Sequence, residues 1–597
     1  MKTLKKLLFL LSPQEQKSAT LLLVMIFIMA LLDMIGVASI LPFMAVLTNP
    51  DLIEVNAILN FMFEISNIFG VENNQQFLFA LGIFSFVLLI ISLTFKAITT
   101  YVQAQFILMR EHSIGKRLIE SYLHQPYSWF LSRNSSEIGK TILNEVAQVL
   151  GNGMKPFMDL IAKGLITIAL ITLLIIANPK LALTVGILLG GLYLLIFLFV
   201  RSLLNKFGKQ RLKHNQLRYL VVSEAFGAAK EIKVGGLEET YIRSFSNSAK
   251  AFAQAHASSQ IISELPRFIL EAVAFGGILL VILFTMGETD SFNSSLPILS
   301  LYIFAGYRLM PALQQIYNSF TKLTFVSASL DMLTQDIKNL KPFNELQDQS
   351  TFTLNNNINL RNISYIYPNA SETALNDINL NIPAKSIVGL VGATGSGKTT
   401  MVDIILGLLQ PQKGNIEVDG KIITKKNSRS WQSSIGYVPQ NIYLSDDSIS
   451  SNIAFGVEPK DLNQEDVEKA SKIANLHKFV IDELPNKYKT IVGERGIRLS
   501  GGQRQRIGIA RALYHNPKVL IMDEATSALD NQTEKAVMDA ITNLDKNITI
   551  ILIAHRLTTV KKCDKIFFLE NGDLKAEGSF DDLLSINKNF SSMANIN

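Results

Sequence analysis

Leu181–Val200 reads LALTVGILLGGLYLLIFLFV, a run that carries no charge. At about 1.5 Å of rise per residue, such a helix reaches across a hydrocarbon core of roughly 30 Å. Lipid offers no partner to free backbone groups, so a crossing segment of this kind is helical. Five more apolar runs of suitable length accompany it, at Ala19–Leu47, Phe77–Tyr101, Phe157–Ala177, Leu265–Met286 and Leu296–Phe320. One run alone could be a buried helix of a large soluble core. Six of them, in a chain of 597 residues, exclude one ordinary soluble domain. An even number of spans leaves both chain ends on the same side.

Loop charge sets the orientation. Asn49–Phe77 contains Asp51, Glu54, Glu64 and Glu72 but no Lys or Arg, and Gly287–Ser295 holds Glu288 and Asp290, again without a basic residue. The segment between the fourth and fifth runs carries Arg201, Lys206, Lys209, Arg211, Lys213, Arg218, Lys230, Lys233, Arg243 and Lys250. Basic loops stay in the cytoplasm. The expectation is a multi-pass protein of the cytoplasmic (inner) membrane with both termini cytoplasmic. The net charge of +6 fits Lys and Arg facing anionic lipid and is no ground for nucleic-acid binding. The opening MKTLKKLLFLLSPQEQ lacks a small-residue cleavage site and reads as an interfacial amphipathic helix leading into the first span. Cys563 is the only cysteine, which rules out an intrachain disulfide and a cysteine metal cage.

Gln103–Lys155 and Arg201–Ser263 are polar yet helix-prone, and read as membrane helices extended into the cytoplasm. Their tips are expected near His124–Glu137 and Phe226–Leu237, where Pro, Ser and Gly break the pattern. After the sixth run the composition shifts. The division is a transmembrane domain over 1–320, a polar linker over 321–350 and a soluble domain over 351–597 that opens on short β-rich runs.

The apolar run Ser386–Val391 feeds into Gly392-Ala393-Thr394-Gly395-Ser396-Gly397-Lys398-Thr399-Thr400, and a helical stretch follows. This is a P-loop in its required context of strand, glycine-rich loop and helix. Glycines let backbone N–H groups turn toward phosphate oxygens, and the helix N-terminus adds partial positive charge. Lys398 is expected at the β- and γ-phosphates of ATP, and Thr399 on Mg²⁺. Val519–Met522 is an apolar strand ending in Asp523-Glu524. Asp523 suits the carboxylate that holds Mg²⁺, and Glu524 suits the general base for the attacking water. A surface acidic pair is a poor alternative after such a strand.

Leu499-Ser500-Gly501-Gly502-Gln503, followed by RQRIGIARAL, resembles the signature motif of the ABC ATPases. Other positions match that family one by one. Tyr367 resembles the aromatic that stacks on adenine, and Gln440 in YVPQN resembles the Q-loop glutamine that senses Mg²⁺. Ser527-Ala528-Leu529-Asp530 resembles the D-loop, and His555 in IAHRL the switch histidine at the γ-phosphate. Val492–Gly496 resembles a loop seen before the signature in exporters. The resemblance implies an all-α six-helix transmembrane domain followed by an α/β P-loop nucleotide-binding domain. It also implies two such chains, most simply a homodimer, that sandwich ATP between the P-loop of one and the signature of the other.

A membrane domain placed first and fused to its ATPase resembles the type IV exporter arrangement. Asp33, Lys96, Glu271 and Arg308 fall within the expected spans, where charge is costly, and are the candidate cavity residues. Pairing or snorkelling is the plainer reading of them. PRFILEAVAFG, YRLMP and YVPQNIYLSDDSISSNIAFG are similar to segments of bacterial flippases for lipid-linked oligosaccharides. A lipid-linked saccharide or similar amphipathic lipid is therefore the first expectation for the cargo. Hydrophobic drugs, lipid A-type lipids or peptides are the alternative within transport. A non-transporting regulatory membrane ATPase is the alternative of another class, and the matching Glu524 and His555 speak against it.

Overall fold

Every long apolar run lies on a helix in the computed structural model, which describes residues 2–68, 70–177, 179–286, 292–341, 352–368, 370–525, 529–542, 548–554 and 557–596. The chain forms two compact units. One comprises Met1–Gln125 and Arg133–Pro342, and the other comprises Pro126–Ser132 and Phe343–Asn597.

The first unit is helical. Its long helices are α1 (Pro13–Ala38), α2 (Asn74–Leu123), α3 (Lys155–Ala177), α4 (Pro179–Gly227), α5 (Glu238–Met286) and α6 (Phe292–Asn339). Among the described residues, Pro13–Gly36, Asn74–Leu123, Ser135–Ile176 and Gly190–Gly227 are long and apolar enough to cross a membrane. The fifth and sixth expected spans fall on α5 and α6, where many side chains lie outside the described residues. Large apolar side chains such as Phe86 and Phe199 are exposed on these helices at 63% and 81%, as lipid-facing positions require.

Three boundaries differ from expectation. The first span is one helix only to Ala38, and a second piece begins at Ile40. Pro42 has no N–H to return to the carbonyl four residues back, so the ladder is interrupted there. The segment after the first span is itself folded, with helices Leu52–Val55 and Ala57–Asn67 packing Leu59 against Phe77 and Leu81. The linker expected over 321–350 is helix as far as Asn339. Its polar residues made it look like a connector, but Phe325, Val326, Leu330 and Leu333 recur at helical spacing and are buried. The tips fall in the regions expected: α2 ends at Leu123 before a short helix Tyr127–Phe130, and Ala229–Gly235 separates α4 from α5.

The long polar extensions of these helices meet in a polar core. Two turns wider than α, Thr141–Glu145 and Leu150–Met154, interrupt the helical segment that leads to α3. Glu145 is 0% exposed and pairs at 2.5 Å with Arg211 of α4, itself 1% exposed. Asn215 donates to Glu145 at 2.9 Å, and Arg211 also donates to the Ser329 hydroxyl of α6 at 2.6 Å. Lys140 is fully buried beside them, with no hydrogen-bond partner for its Nζ among the described residues. Next to this core α4 meets α6 so closely that a Cβ on Gly208 would sit 2.1 Å from the Phe325 carbonyl oxygen.

The second unit is α/β. An antiparallel sheet has the order β2-β1-β4-β5, from β1 (Asn357–Tyr365), β2 (Leu375–Pro383), β4 (Lys413–Val418) and β5 (Lys421–Ile422). The larger sheet runs β10-β9-β3-β8-β7-β6. It comprises β3 (Ile387–Gly392), β6 (Ile435–Val438), β7 (Val519–Asp523), β8 (Thr549–Ile553), β9 (Lys565–Glu570) and β10 (Asp573–Gly578). All of its pairs are parallel except β9 with β10. Its central strands are apolar throughout, with Leu390, Ile521 and Ile551 each 0% exposed, because helices cover both faces of a parallel sheet.

Candidate nucleotide site

Ligands of open α/β sheets bind outside the carboxyl ends of the parallel strands. Here β3 ends at Gly392, β7 at Asp523 and β6 two residues before Gln440. One cavity of about 770 Å³ lies at those ends. Tyr367, Thr394, Gly395, Ser396, Gly397, Lys398, Thr399, Thr400, Gln440, Asp523 and Glu524 all line it. Residues as far apart in the chain as Tyr367 and Glu524 are thus brought together by strand order.

The P-loop is shaped by glycine where a side chain would collide. Gly397 has φ 99°, and a Cβ there would lie 2.7 Å from Leu375 Cδ2; one on Gly392 would lie 2.2 Å from the Leu569 carbonyl oxygen. Lys398 opens the helix Lys398–Ile405, and its Nζ donates to the carbonyls of Gly392 at 2.7 Å and Ala393 at 2.9 Å. Burial pushes its pKa down, opposed by the carboxylates of Glu524 and Asp523. Gln440 Nε2 donates to Glu524 Oε2 at 2.9 Å. Glu524 has φ 48°, a left-handed conformation that a non-glycine residue rarely holds, and its N–H donates to the Ile553 carbonyl at 3.1 Å. The Tyr367 and Thr400 hydroxyls are 3.0 Å apart, and the Tyr367 ring meets Tyr365 edge-on.

Other expected residues lie elsewhere. Ser500 caps the helix Gly501–Tyr514, accepting from the Gln503 N–H at 3.2 Å while the Gln503 side chain accepts from the Ser500 N–H at 2.8 Å. Leu499, Gly501 and Gly502 flank this cap, and none of Leu499–Gln503 lines the cavity. Arg504 ties the cap to the preceding loop through the Leu499 carbonyl at 2.9 Å. Leu529 is buried, and Asp530 caps the helix Asn531–Thr542 by accepting from the Thr533 N–H at 2.9 Å. Ser527, Ala528 and His555 lie outside the described residues.

The cavity has a wall that sequence reasoning missed. Glu372, Thr373 and Ala374 line it, as do Asn571 and Gly572 of the β9–β10 turn. The Gly572 N–H donates to the Ser396 carbonyl at 3.2 Å, so this turn braces the P-loop. Asn-Gly is a strong hairpin signal, but only the β3–β9 pairing brings it here.

In the first unit, Asp33 is 3% exposed and lies 3.4 Å from the Ser92 hydroxyl of α2. Lys96 is half-buried. Glu271 pairs at 2.6 Å with Arg267, one turn earlier on its own helix. The Arg308 side chain lies outside the described residues. A charge not singled out in the sequence is Asp159 at the start of α3, which accepts from Gln103 at 2.7 Å and Gln315 at 3.2 Å. It sits at the very edge of the apolar run Phe157–Ala177.

The site and the helices together define an ATPase joined to a membrane domain. The ABC transporter family model matches residues 375–527, and that of the ABC transporter transmembrane region matches residues 55–307. An ATP-dependent lipid A-core flippase of Saccharophagus degradans is 30% identical over 481 residues, 79% of each chain. A Bacillus subtilis protein with a provisional multidrug-export name is 29% identical over 79% of this chain and 81% of its own. The solved structure of a bacterial Atm1-family ABC exporter with ATP bound aligns with TM-score 0.78 and 21% identity, covering 96% of this chain and 97% of that one, and shows the shared fold. The chain belongs to the ABC transporter family, as an exporter half-transporter whose membrane domain is fused to its ATPase. It is a multi-pass integral membrane protein that couples ATP hydrolysis to transport.

Proposed function

We propose that two copies of this chain pair in the cytoplasmic membrane and move an amphipathic lipid with a saccharide-bearing headgroup, driven by ATP. The observation that carries the cargo class is the 30% identity, over 79% of both chains, to a lipid A-core flippase. A lipid-linked saccharide and a lipid A-type lipid share that chemistry of acyl or prenyl tail and sugar head. Drug export is the second reading, favoured by the Bacillus relative.

In this reading Tyr367 stacks on adenine, and the N–H groups of Thr394–Thr400 surround the phosphates. Lys398 leaves the carbonyls of Gly392 and Ala393 for the β- and γ-phosphate oxygens. Among the described residues no three His, Cys, Asp or Glu side chains cluster as a metal site. Hard oxygen donors are nevertheless present in the cavity, and Asp523, the Thr399 hydroxyl and Gln440 would hold Mg²⁺ with the phosphates. When bound, the ion would neutralise phosphate charge. Glu524 takes a proton from the attacking water once Gln440 releases its carboxylate. His555 would act at the γ-phosphate, and the helix N-terminus capped by Ser500, with Gly501 and Gly502, would meet the same phosphate from the other copy.

The test is ATP hydrolysis by the chain reconstituted alone in liposomes, with Glu524→Gln as the dead control. Polyisoprenoid pyrophosphate-linked oligosaccharide, lipid A-core lipid, plain phospholipid and a hydrophobic drug are compared. Stimulation by a saccharide-bearing lipid alone supports the flippase. Stimulation by the drug alone moves the cargo to the second reading, and no hydrolysis at all removes the homodimer.

A further inference from the structure

The chain passes between its two units after Gln125, before Arg133 and after Pro342. The first two crossings bracket the tip Pro126–Ser132, a short piece that belongs to the second unit although both of its neighbours belong to the first. The tip is a closed turn. The Trp129 N–H donates to the Pro126 carbonyl at 2.9 Å, the Leu131 N–H to the Tyr127 carbonyl at 3.3 Å, and the Ser132 hydroxyl to the Trp129 carbonyl at 2.9 Å.

On the side of the first unit, one knot of side chains holds all of these crossings. Asp336, in the last turn of α6, is 10% exposed, and one of its carboxylate oxygens accepts from Arg133 Nη1 at 2.8 Å. The other accepts from the hydroxyl of Tyr122, near the end of α2, which is 2% exposed. Gln125 closes the knot in both directions. Its Oε1 accepts from the Lys341 N–H at 3.2 Å, and its Nε2 donates to the Lys341 carbonyl at 3.2 Å. The last residue before the tip is thus bonded to the residue before Pro342, and the first residue after the tip is bonded to α6. Leu330 and Leu333 are buried on the same stretch of α6, so the knot is anchored. Within it Asp336 is the group that reaches both arms of the tip. Its charge matters because a carboxylate makes shorter and stronger bonds to guanidinium and hydroxyl donors than a neutral acceptor does.

We infer that Asp336 is a positioning residue of the coupled reaction. It joins both arms of the tip to the end of α6, so that the tip and the chain entering the second unit move as one joint. Nucleotide binding in the second unit reaches the membrane helices through that joint. The inference concerns coupling alone and holds for any cargo.

Hydrogen exchange, followed by mass spectrometry on the full chain in lipid nanodiscs, tests it with ATP, Mg²⁺ and vanadate as the probe. Peptides over 392–400 report the P-loop. Peptides over 135–154, which carry the two wide turns of the first unit, report what passes the joint. In the parent chain the trapped nucleotide should slow exchange by about threefold or more at both places. In Asp336→Asn, which keeps the shape and removes the charge, the P-loop should slow as before, basal ATP hydrolysis should stay within about twofold, and the slowing over 135–154 should fall to about a third of the parent's or less. Arg133→Gln, at a site 28% exposed, makes the same cut from the tip should Asp336→Asn fail to fold. Full slowing over 135–154 in these variants would reduce the knot to packing. Loss of slowing at both places would assign Asp336 to nucleotide binding or to folding. A parent chain in which only the P-loop slows would leave the joint with nothing to pass on. Each of these results overturns the inference.

Discussion

Removing the Glu145 carboxylate charge should cost more than any surface change in this protein. Glu145→Gln keeps the shape but leaves Arg211 in a site where the two side chains are 1% and 0% exposed. Lys140, buried alongside, then shares that space with Arg211 and no carboxylate answers either from position 145. Two hydrogen bonds to Glu145, at 2.5 Å from Arg211 and 2.9 Å from Asn215, are weakened at once. Breaking a buried pair by removing one partner costs about 3–5 kcal/mol. For a unit of this size that lowers the unfolding midpoint by about 4–7 °C. Thermal unfolding of the purified chain in detergent measures it. The companion variant replaces both residues, Glu145→Met with Arg211→Met, and should recover most of the loss, because the penalty lies in the orphaned charge. The reasoning fails if Glu145→Gln shifts the midpoint by less than about 2 °C, or if the double replacement loses the sum of the two single losses.

Glu524→Gln should lower ATP hydrolysis by a factor of about 10²–10⁴ while nucleotide binding, followed with a fluorescent ATP analogue, changes little. Gly208→Ala should destabilise by roughly 1–3 kcal/mol through collision with the Phe325 carbonyl, whereas Gly191→Ala, which meets open space, should be neutral or stabilising in the same melt. Ser500→Ala removes the side-chain half of a capping box, leaving the Gln503 side chain on the backbone N–H of position 500, and should cost about 1 kcal/mol; urea unfolding of the second unit's signal checks it. Burial pushes the Cys563 thiol up to about 12, so alkylation of the folded chain should stay slow at pH 9 and rise about tenfold per pH unit above it. The unfolded chain loses that proton first, near its ordinary value of 9, so stability should fall as pH rises through this range.

What the sequence displays depends on how local its cause is. The P-loop was legible because strand, glycines, Lys398 and helix are contiguous, whereas the walls at Leu375 and Leu569 and the brace from Gly572 come from far along the chain. Glu524 was legible as a chemical type, but its link to Gln440 is made by the β6–β7 pairing, which no local pattern encodes. Asn571 and Gly572 announce a turn in the sequence and nothing about a nucleotide. The stretch 321–339 read as a linker because its charges dominate. Asp331 and Asp336 are in fact committed to Lys6 at 2.5 Å and Arg133 at 2.8 Å, leaving the other face apolar and buried. Asp159 was hidden by position, and the Arg211–Glu145 pair by distance along the chain.

The length of α2 has a mechanical consequence. Its 50 residues make a rod of about 75 Å, while a membrane core occupies only some 30 Å of it. A stiff rod gripped partway along is a lever. With an overhang of roughly 45 Å, a tilt of 5° within the gripped part sweeps the far end through about 4 Å, the scale of one helical turn. Small angular play among packed membrane helices is thus read out at the tip as a displacement large enough to break a set of side-chain contacts. The reverse also holds: a push of a few ångströms at the tip is geared down to a slight, forceful rotation inside the bilayer.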